Sequence, residues 1–130
     1  MEIPGDRRYT EAHEWVQVVS EDTDGTRVRI GISDFAQDAL GDIVYVDLPT
    51  VGVEVTQGDT VAEVESTKSV GEVYAPVSGR VAATNEALSV TPELVNEEPY
   101  GRGWILELVM ADPGTFTELL DANGYRAVID

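Results

Sequence analysis

The residue of this chain most suited to chemistry is Lys68, the single lysine among 130 residues, set in Glu65-Ser66-Thr67-Lys68-Ser69-Val70. The other seven basic residues are arginines, which stay protonated and make poor acylation targets. Lys68 therefore carries the only side-chain amine able to hold a covalent acyl group. Upstream, Val61-Ala62-Glu63-Val64-Glu65-Ser66 alternates apolar and polar residues like a strand with one buried face. Downstream, Val70-Gly71-Glu72-Val73-Tyr74 reads as its partner and ends at the turn signal Ala75-Pro76-Val77-Ser78-Gly79. This predicts a hairpin with Lys68 at its solvent-facing tip. A lone tip lysine is ordinarily a solubilising charge, and the frame of turn, strand, lysine, strand and turn is what sets this one apart.

Few other constellations compete. The chain has no cysteine, so it has neither a disulfide framework nor a catalytic thiol. His13 is the only histidine; without cysteine partners it does not suggest a metal centre, and a structural hydrogen bond is expected of it rather than catalysis. Gly101-Arg102-Gly103 is too short for a phosphate loop, and no serine-histidine-acid or paired-carboxylate arrangement stands out.

The elements that must position Lys68 are short. Trp15–Ser20 and Arg27–Ile32 flank an Asp-Gly turn and read as a hairpin, with Val28, Ile30 and Ile32 on its inner face. Ser33 or Asp34 can cap a short helix over 34–40 that Gly41 terminates. Ile43–Leu48 reads as a strand, followed by glycine turns, the lysine hairpin and a strand over Arg80–Thr84. Asn85–Gly103 reads as largely irregular, and Trp104–Val109 as a last strand. Asp112-Pro113 is expected to open a C-terminal helix through about Asp121, with a second turn at Tyr125–Ile129. Trp15 and Trp104 are expected in the core. About seven strands and small helices predict a single mainly β domain over 1–130, a flattened barrel or sandwich.

Charge excludes some classes of partner. With 25 acidic against 8 basic residues the net charge is −17, which repels phosphate backbones and anionic lipid surfaces. No nucleic-acid or membrane role is expected. The opening residues have no apolar signal core and no run is long enough to span a bilayer, so a cytoplasmic location is expected.

The turn–strand–lysine–strand–turn frame looks like the biotinyl and lipoyl carrier domains. Four further segments narrow the resemblance: Tyr9-Thr10-Glu11-Ala12-His13-Glu14-Trp15-Val16, Ile30-Gly31-Ile32-Ser33-Asp34-Phe35-Ala36-Gln37, Leu40 to Pro49, and Leu94 to Trp104. Together with the lysine hairpin they closely resemble the H-protein family of the glycine cleavage system, over nearly the whole chain. The resemblance implies a lipoyl-type fold and a non-catalytic carrier. Lys68 would hold lipoate through an amide, taking the net charge from −17 to −18. The implied partners are a pyridoxal-phosphate glycine decarboxylase (P protein), a tetrahydrofolate-dependent aminomethyltransferase (T protein), dihydrolipoamide dehydrogenase (L protein), and a lipoyl- or octanoyl-attaching enzyme.

The family is also expected to park the loaded arm in a surface cleft, which His13-Glu14-Trp15 looks like the motif to line. Glu14 could there pair with the ammonium of the aminomethyl group. Glu65 and Thr67 are candidates for recognition at the tip. Phe35 stands where some relatives carry a polar side chain, so no arm contact is carried over to it. The tip reads Thr-Lys-Ser where many relatives have Val-Lys-Ala, a departure that leaves attachment intact. Three alternatives stay open: a lipoate relay protein using the same lysine; a biotinyl carrier, although neither Thr67 nor Ser69 is the usual flanking methionine; and a binding module whose lysine is never modified.

Overall fold

The computed structural model describes residues 1–130. Nine strands form: β1 (Arg8–Tyr9), β2 (Glu14–Asp22), β3 (Gly25–Ile32), β4 (Ile43–Asp47), β5 (Glu54–Val55), β6 (Thr60–Ser66), β7 (Val70–Tyr74), β8 (Gly79–Thr84) and β9 (Leu106–Met110). They make two antiparallel sheets, one in the order β1-β2-β3-β9-β8-β5 and one in the order β4-β6-β7. The two strands beyond the expected seven, β1 and β5, are each two residues long and too short to show a period.

Alternation along the strands builds the core. Val28, Ile30 and Ile32 of β3 join Leu106, Leu108 and Met110 of β9, and they share one apolar cluster with Val46, Val64 and Val73 from the smaller sheet. The expected β sandwich is thus the observed architecture. A second, smaller cluster of Tyr9, Trp15 and Tyr125 lies at one end. Trp15 is fully buried there, donates its indole N–H to the carbonyl of Pro99 at 2.9 Å, and covers Gly31, where any Cβ would stand 2.7 Å from its ring. Trp104 departs from expectation: it is half-buried, and the guanidinium of Arg29 stacks over its ring at 4.5 Å.

Helix α1 (Asp34–Leu40) has the predicted caps: Ser33 Oγ accepts the Ala36 amide at 3.2 Å, and Gly41 closes the helix with φ 87°. The C-terminal region is arranged otherwise than expected. Pro113–Glu118 is a 3-10 turn, and the chain then straightens so that Tyr9 and Leu120 exchange backbone hydrogen bonds at 2.8 and 2.9 Å. Asp121 caps α3 (Ala122–Ile129), its carboxylate accepting the Gly124 amide at 2.7 Å. An aspartate in that role favours a new helix start over the interior of an old one. The segment expected to be irregular, 85–103, holds a 3-10 turn at Glu86–Ser89 and a one-turn helix, α2 (Leu94–Glu97). No helix is long and apolar enough to cross a membrane.

Candidate functional site

The lysine hairpin is β6–β7, with Glu65 opposite Val70 and Ser66 to Ser69 forming the tip. Neither Thr67 nor Lys68 adopts positive φ, so the tip is not the mirror-image turn that fits strand twist best. The Ser66 hydroxyl compensates. Its oxygen accepts the amides of Lys68 at 3.2 Å and Ser69 at 3.0 Å, and it donates to the Ser69 carbonyl at 3.1 Å, while the Ser66 amide bonds that same carbonyl at 2.8 Å. The Thr67 amide reaches across to the carbonyl of Asp42 at 3.1 Å and ties the tip to the α1–β4 loop.

That loop is in turn clamped from α2. Asn96 accepts the Ile43 amide at 2.8 Å and donates to the Gly41 carbonyl and the Gln37 side chain, both at 2.9 Å. Gly41 lies directly under the lysine: a Cβ there would stand 3.3 Å from the Lys68 Cε. The stem of Lys68 therefore crosses a bare stretch of backbone, while its Nζ makes no ion pair or hydrogen bond within the protein and the residue is exposed. An unpaired amine on an anchored tip is accessible as a nucleophile for acylation.

Beside the tip, an apolar groove of about 270 Å³ opens between α1, the lysine hairpin and the loop after β1. Leu40, Ala36 and Ala39 form one wall and Val64, Gly71 and Val73 the other, with His13 and Phe35 at one end. Glu72 is the one carboxylate in the lining; the surface suits an apolar arm tethered at Lys68, and no cluster of side chains able to hold a metal is present.

His13 ends the turn Thr10–His13, whose first carbonyl accepts the His13 amide at 3.1 Å, and it takes φ 75°. This left-handed conformation costs a histidine about 1 kcal/mol relative to the glycine that usually fills it. Its ring stands 4.8 Å from that of Phe35, and its Nδ1 lies 2.8 Å from the Tyr125 hydroxyl. The structural hydrogen bond expected of His13 is present. Burial pushes the imidazole below its ordinary pKa of 6.5.

Glu14, the first residue of β2, is not exposed to the groove. It is 1% exposed, and its carboxylate accepts the Thr10 hydroxyl at 2.6 Å and the Tyr74 amide at 3.1 Å. Burial raises its pKa above 4.5, partly offset by those two donors. Glu14 thus joins the turn that carries His13 to the end of β7, directly behind the groove. Glu65 is half-buried on β6 between Tyr45 and Val70, and Thr67 is exposed at the tip; neither side chain is hydrogen-bonded. The structure therefore brings Lys68, Glu65 and Thr67 together and sets Glu14 apart from them. Ser66, Asn96 and Tyr125 were not singled out from sequence. The one available signal was Asn96, a polar residue inside the otherwise apolar start of α2.

Comparisons with known proteins point to one family. A family model described as glycine cleavage H-protein matches residues 7–130. The glycine cleavage system H protein of Thermus thermophilus is 52% identical over 130 residues, covering 100% of this chain and 98% of that protein. The one from Mycolicibacterium smegmatis is 54% identical over 132 residues, covering 98% and 97%. The crystal structure of a glycine cleavage system H protein from Mycobacterium marinum superposes with a TM-score of 0.85 at 42% identity, covering 96% of this chain and 97% of that one. The chain belongs to the glycine cleavage H-protein family, a carrier component of the glycine cleavage system and not a catalyst.

Proposed function

We propose that the protein is the lipoyl-bearing shuttle of glycine cleavage, with lipoate held as an amide on Lys68. The observation that carries this is the chain's one side-chain amine, unpaired on a hairpin tip that Ser66 and Asp42 brace, beside a mostly apolar groove. Once attached, the dithiolane supplies a sulfur that accepts and releases the aminomethyl group and a disulfide that cycles through the dithiol. The chain itself supplies placement. Its tip presents the arm to a glycine decarboxylase, to a tetrahydrofolate-dependent aminomethyltransferase and to dihydrolipoamide dehydrogenase in turn, and its groove shelters the apolar arm between visits.

Around this centre, Glu65 and Thr67 serve recognition by the attaching enzyme, since both lie unengaged beside Lys68. Glu14 serves the arm cleft by latching the His13 turn to β7. Direct pairing of Glu14 with the aminomethyl ammonium would require one of those two bonds to open. A cytoplasmic setting accords with the absence of cysteine and with an acidic surface that keeps an abundant carrier soluble.

The test is reconstitution with the three partner enzymes. Lipoylated wild-type protein should support glycine-dependent methylene transfer, and Lys68→Arg should support none while folding normally. Transfer by Lys68→Arg, or glycine decarboxylation by the purified chain alone, would overturn the proposal.

A further inference from the structure

Three polar groups from separate segments of the chain, Ser33, Tyr125 and the groove-lining His13, are joined by two successive hydrogen bonds. Ser33 Oγ, fully buried, lies 2.6 Å from the Tyr125 hydroxyl, which lies 2.8 Å from His13 Nδ1. Tyr125 is itself fully buried and stacks face to face on Tyr9, with ring centroids 4.7 Å apart and planes 7° apart. Its hydroxyl has no other partner.

The direction of the hydrogen bonds follows from where each proton can go. Ser33 Oγ already accepts the Ala36 amide as the cap of α1, so its own proton needs an acceptor. In a fully buried site the Tyr125 oxygen is the only one in reach. Ser33 therefore donates to Tyr125, and Tyr125, its oxygen now accepting, donates to His13 Nδ1. The reverse order leaves the Ser33 proton buried without a partner, which native structures avoid. An imidazole that accepts at Nδ1 carries its proton on Nε2 when neutral. His13 Nε2 has no partner within the protein and is not an orphaned buried atom, so it meets solvent on a ring that lines the groove.

We propose that Tyr125 is a positioning residue that fixes His13 as its Nε2–H tautomer, so that the groove offers the arm one oriented hydrogen-bond donor in walls whose only other polar side chain is the carboxylate of Glu72. The inference rests on the proposed parking of the arm in this groove. It assigns the C-terminal helix a task in the carrier cycle, because Tyr125 is the only residue of α3 buried at this point. The acceptor it suits is an uncharged oxygen, nitrogen or sulfur of the arm; an ammonium would have no lone pair to offer. Nε2–H would thus meet a sulfur, the amide carbonyl or a neutral amine of the arm, while Glu72 is the one carboxylate among the lining residues.

His13 is the only histidine, so one set of imidazole signals reports the outcome. Nitrogen-15 NMR of the folded protein should show an Nε2–H tautomer and a Tyr125 hydroxyl proton in slow exchange, coupled to Nδ1. Tyr125→Phe should abolish that proton and populate the Nδ1–H form. Ser33→Ala, which keeps the tyrosine, should also raise the Nδ1–H population and guards against the first variant failing to fold. An Nδ1–H tautomer in the wild type, or no change in tautomer population in either folded variant, overturns the assignment. Loading the arm with the aminomethyl group should shift both the His13 Nε2 signal and the methyl signals of Ala36 and Ala39. Methyl shifts without a His13 shift overturn the donor role and leave parking intact. No shift at either place refutes parking itself.

Discussion

Glu14 is a carboxylate buried without a cation, and its removal should therefore be more costly than its neutralisation. No basic side chain bonds it; the donors are the Thr10 hydroxyl and the Tyr74 amide. Glu14→Ala leaves both donors without their acceptor and opens the join between the His13 turn and β7. Hydrogen bonds to a charged group contribute about 1.5 to 3 kcal/mol each, and relief of the buried charge returns part of this, so a net loss of about 2 to 4 kcal/mol is expected. Against a total stability of about 5 to 15 kcal/mol this is a large fraction, and it corresponds to a fall in Tm on the order of 10 °C.

Glu14→Gln keeps one oxygen for the Tyr74 amide and removes the charge, so it should stay within about 1 kcal/mol of the wild type. The pH dependence has a definite sign. The folded pKa of Glu14 lies above its ordinary 4.5, so the folded state binds more protons than the unfolded state just above that pH. The favourable contribution of the carboxyl group is therefore complete below pH 4.5 and is lost as pH rises through the folded pKa. Glutamine does not titrate, so the stability of wild type minus that of Glu14→Gln should fall as pH rises across this window. Urea unfolding at a series of pH values reads the difference directly. A difference that rises with pH would mean that the fold holds this carboxylate by positive charge, and an alanine variant within experimental error of wild type would mean that the two bonds contribute nothing.

Other consequences can be checked more briefly. Lys68→Ala should change stability by less than about 0.5 kcal/mol in thermal unfolding, because the side chain is exposed, while abolishing acylation by a lipoate ligase. Asn96→Ala removes three hydrogen bonds from the loop under the lysine and should cost about 1 to 3 kcal/mol in urea unfolding, with slower acylation of a tip whose Asp42 anchor is loosened. Ala39→Phe fills the exposed wall of the groove and should leave fold and acylation intact while shortening the half-life of the aminomethyl-loaded arm in water; an unchanged half-life would count against parking. His13, whose pKa is lowered by burial, acts in the opposite sense to Glu14: its contribution is present above pH 6.5 and is lost as pH falls through the folded value, so the wild type should gain on His13→Gln as pH rises through that range.

How far the structure could be read from sequence depended on whether a residue's partner was local. Apolar alternation marked β2, β3, β6 and β7, and the serine and glycine caps marked α1, because strand period and caps are properties of neighbouring residues. The lysine tip was legible for the same reason. What the sequence could not show were bonds across long separations. The Asn96 clamp spans more than fifty residues, and Tyr125 meets His13 and Ser33 from the opposite end of the chain. The C-terminal helix was misplaced because Asp112-Pro113 is a valid helix start, while the stronger determinant was a tertiary one, the pairing of Leu120 with Tyr9 that straightens the chain before Asp121. The family resemblance implies Glu14 at the cleft, but its carboxylate is turned to Thr10 and Tyr74, and of His13-Glu14-Trp15 only His13 lines the groove.

The central claim is that Lys68 is a covalent attachment site, and the intact mass of the protein purified from its own host tests it most directly. A mass increase equal to one lipoyl amide, mapped by digestion to the peptide containing Lys68, is the predicted result. An increase matching biotin would move the protein to the carboxylase carriers. An unmodified mass that persists after incubation with lipoate and a lipoate ligase would contradict the account and leave Lys68 a solvated charge.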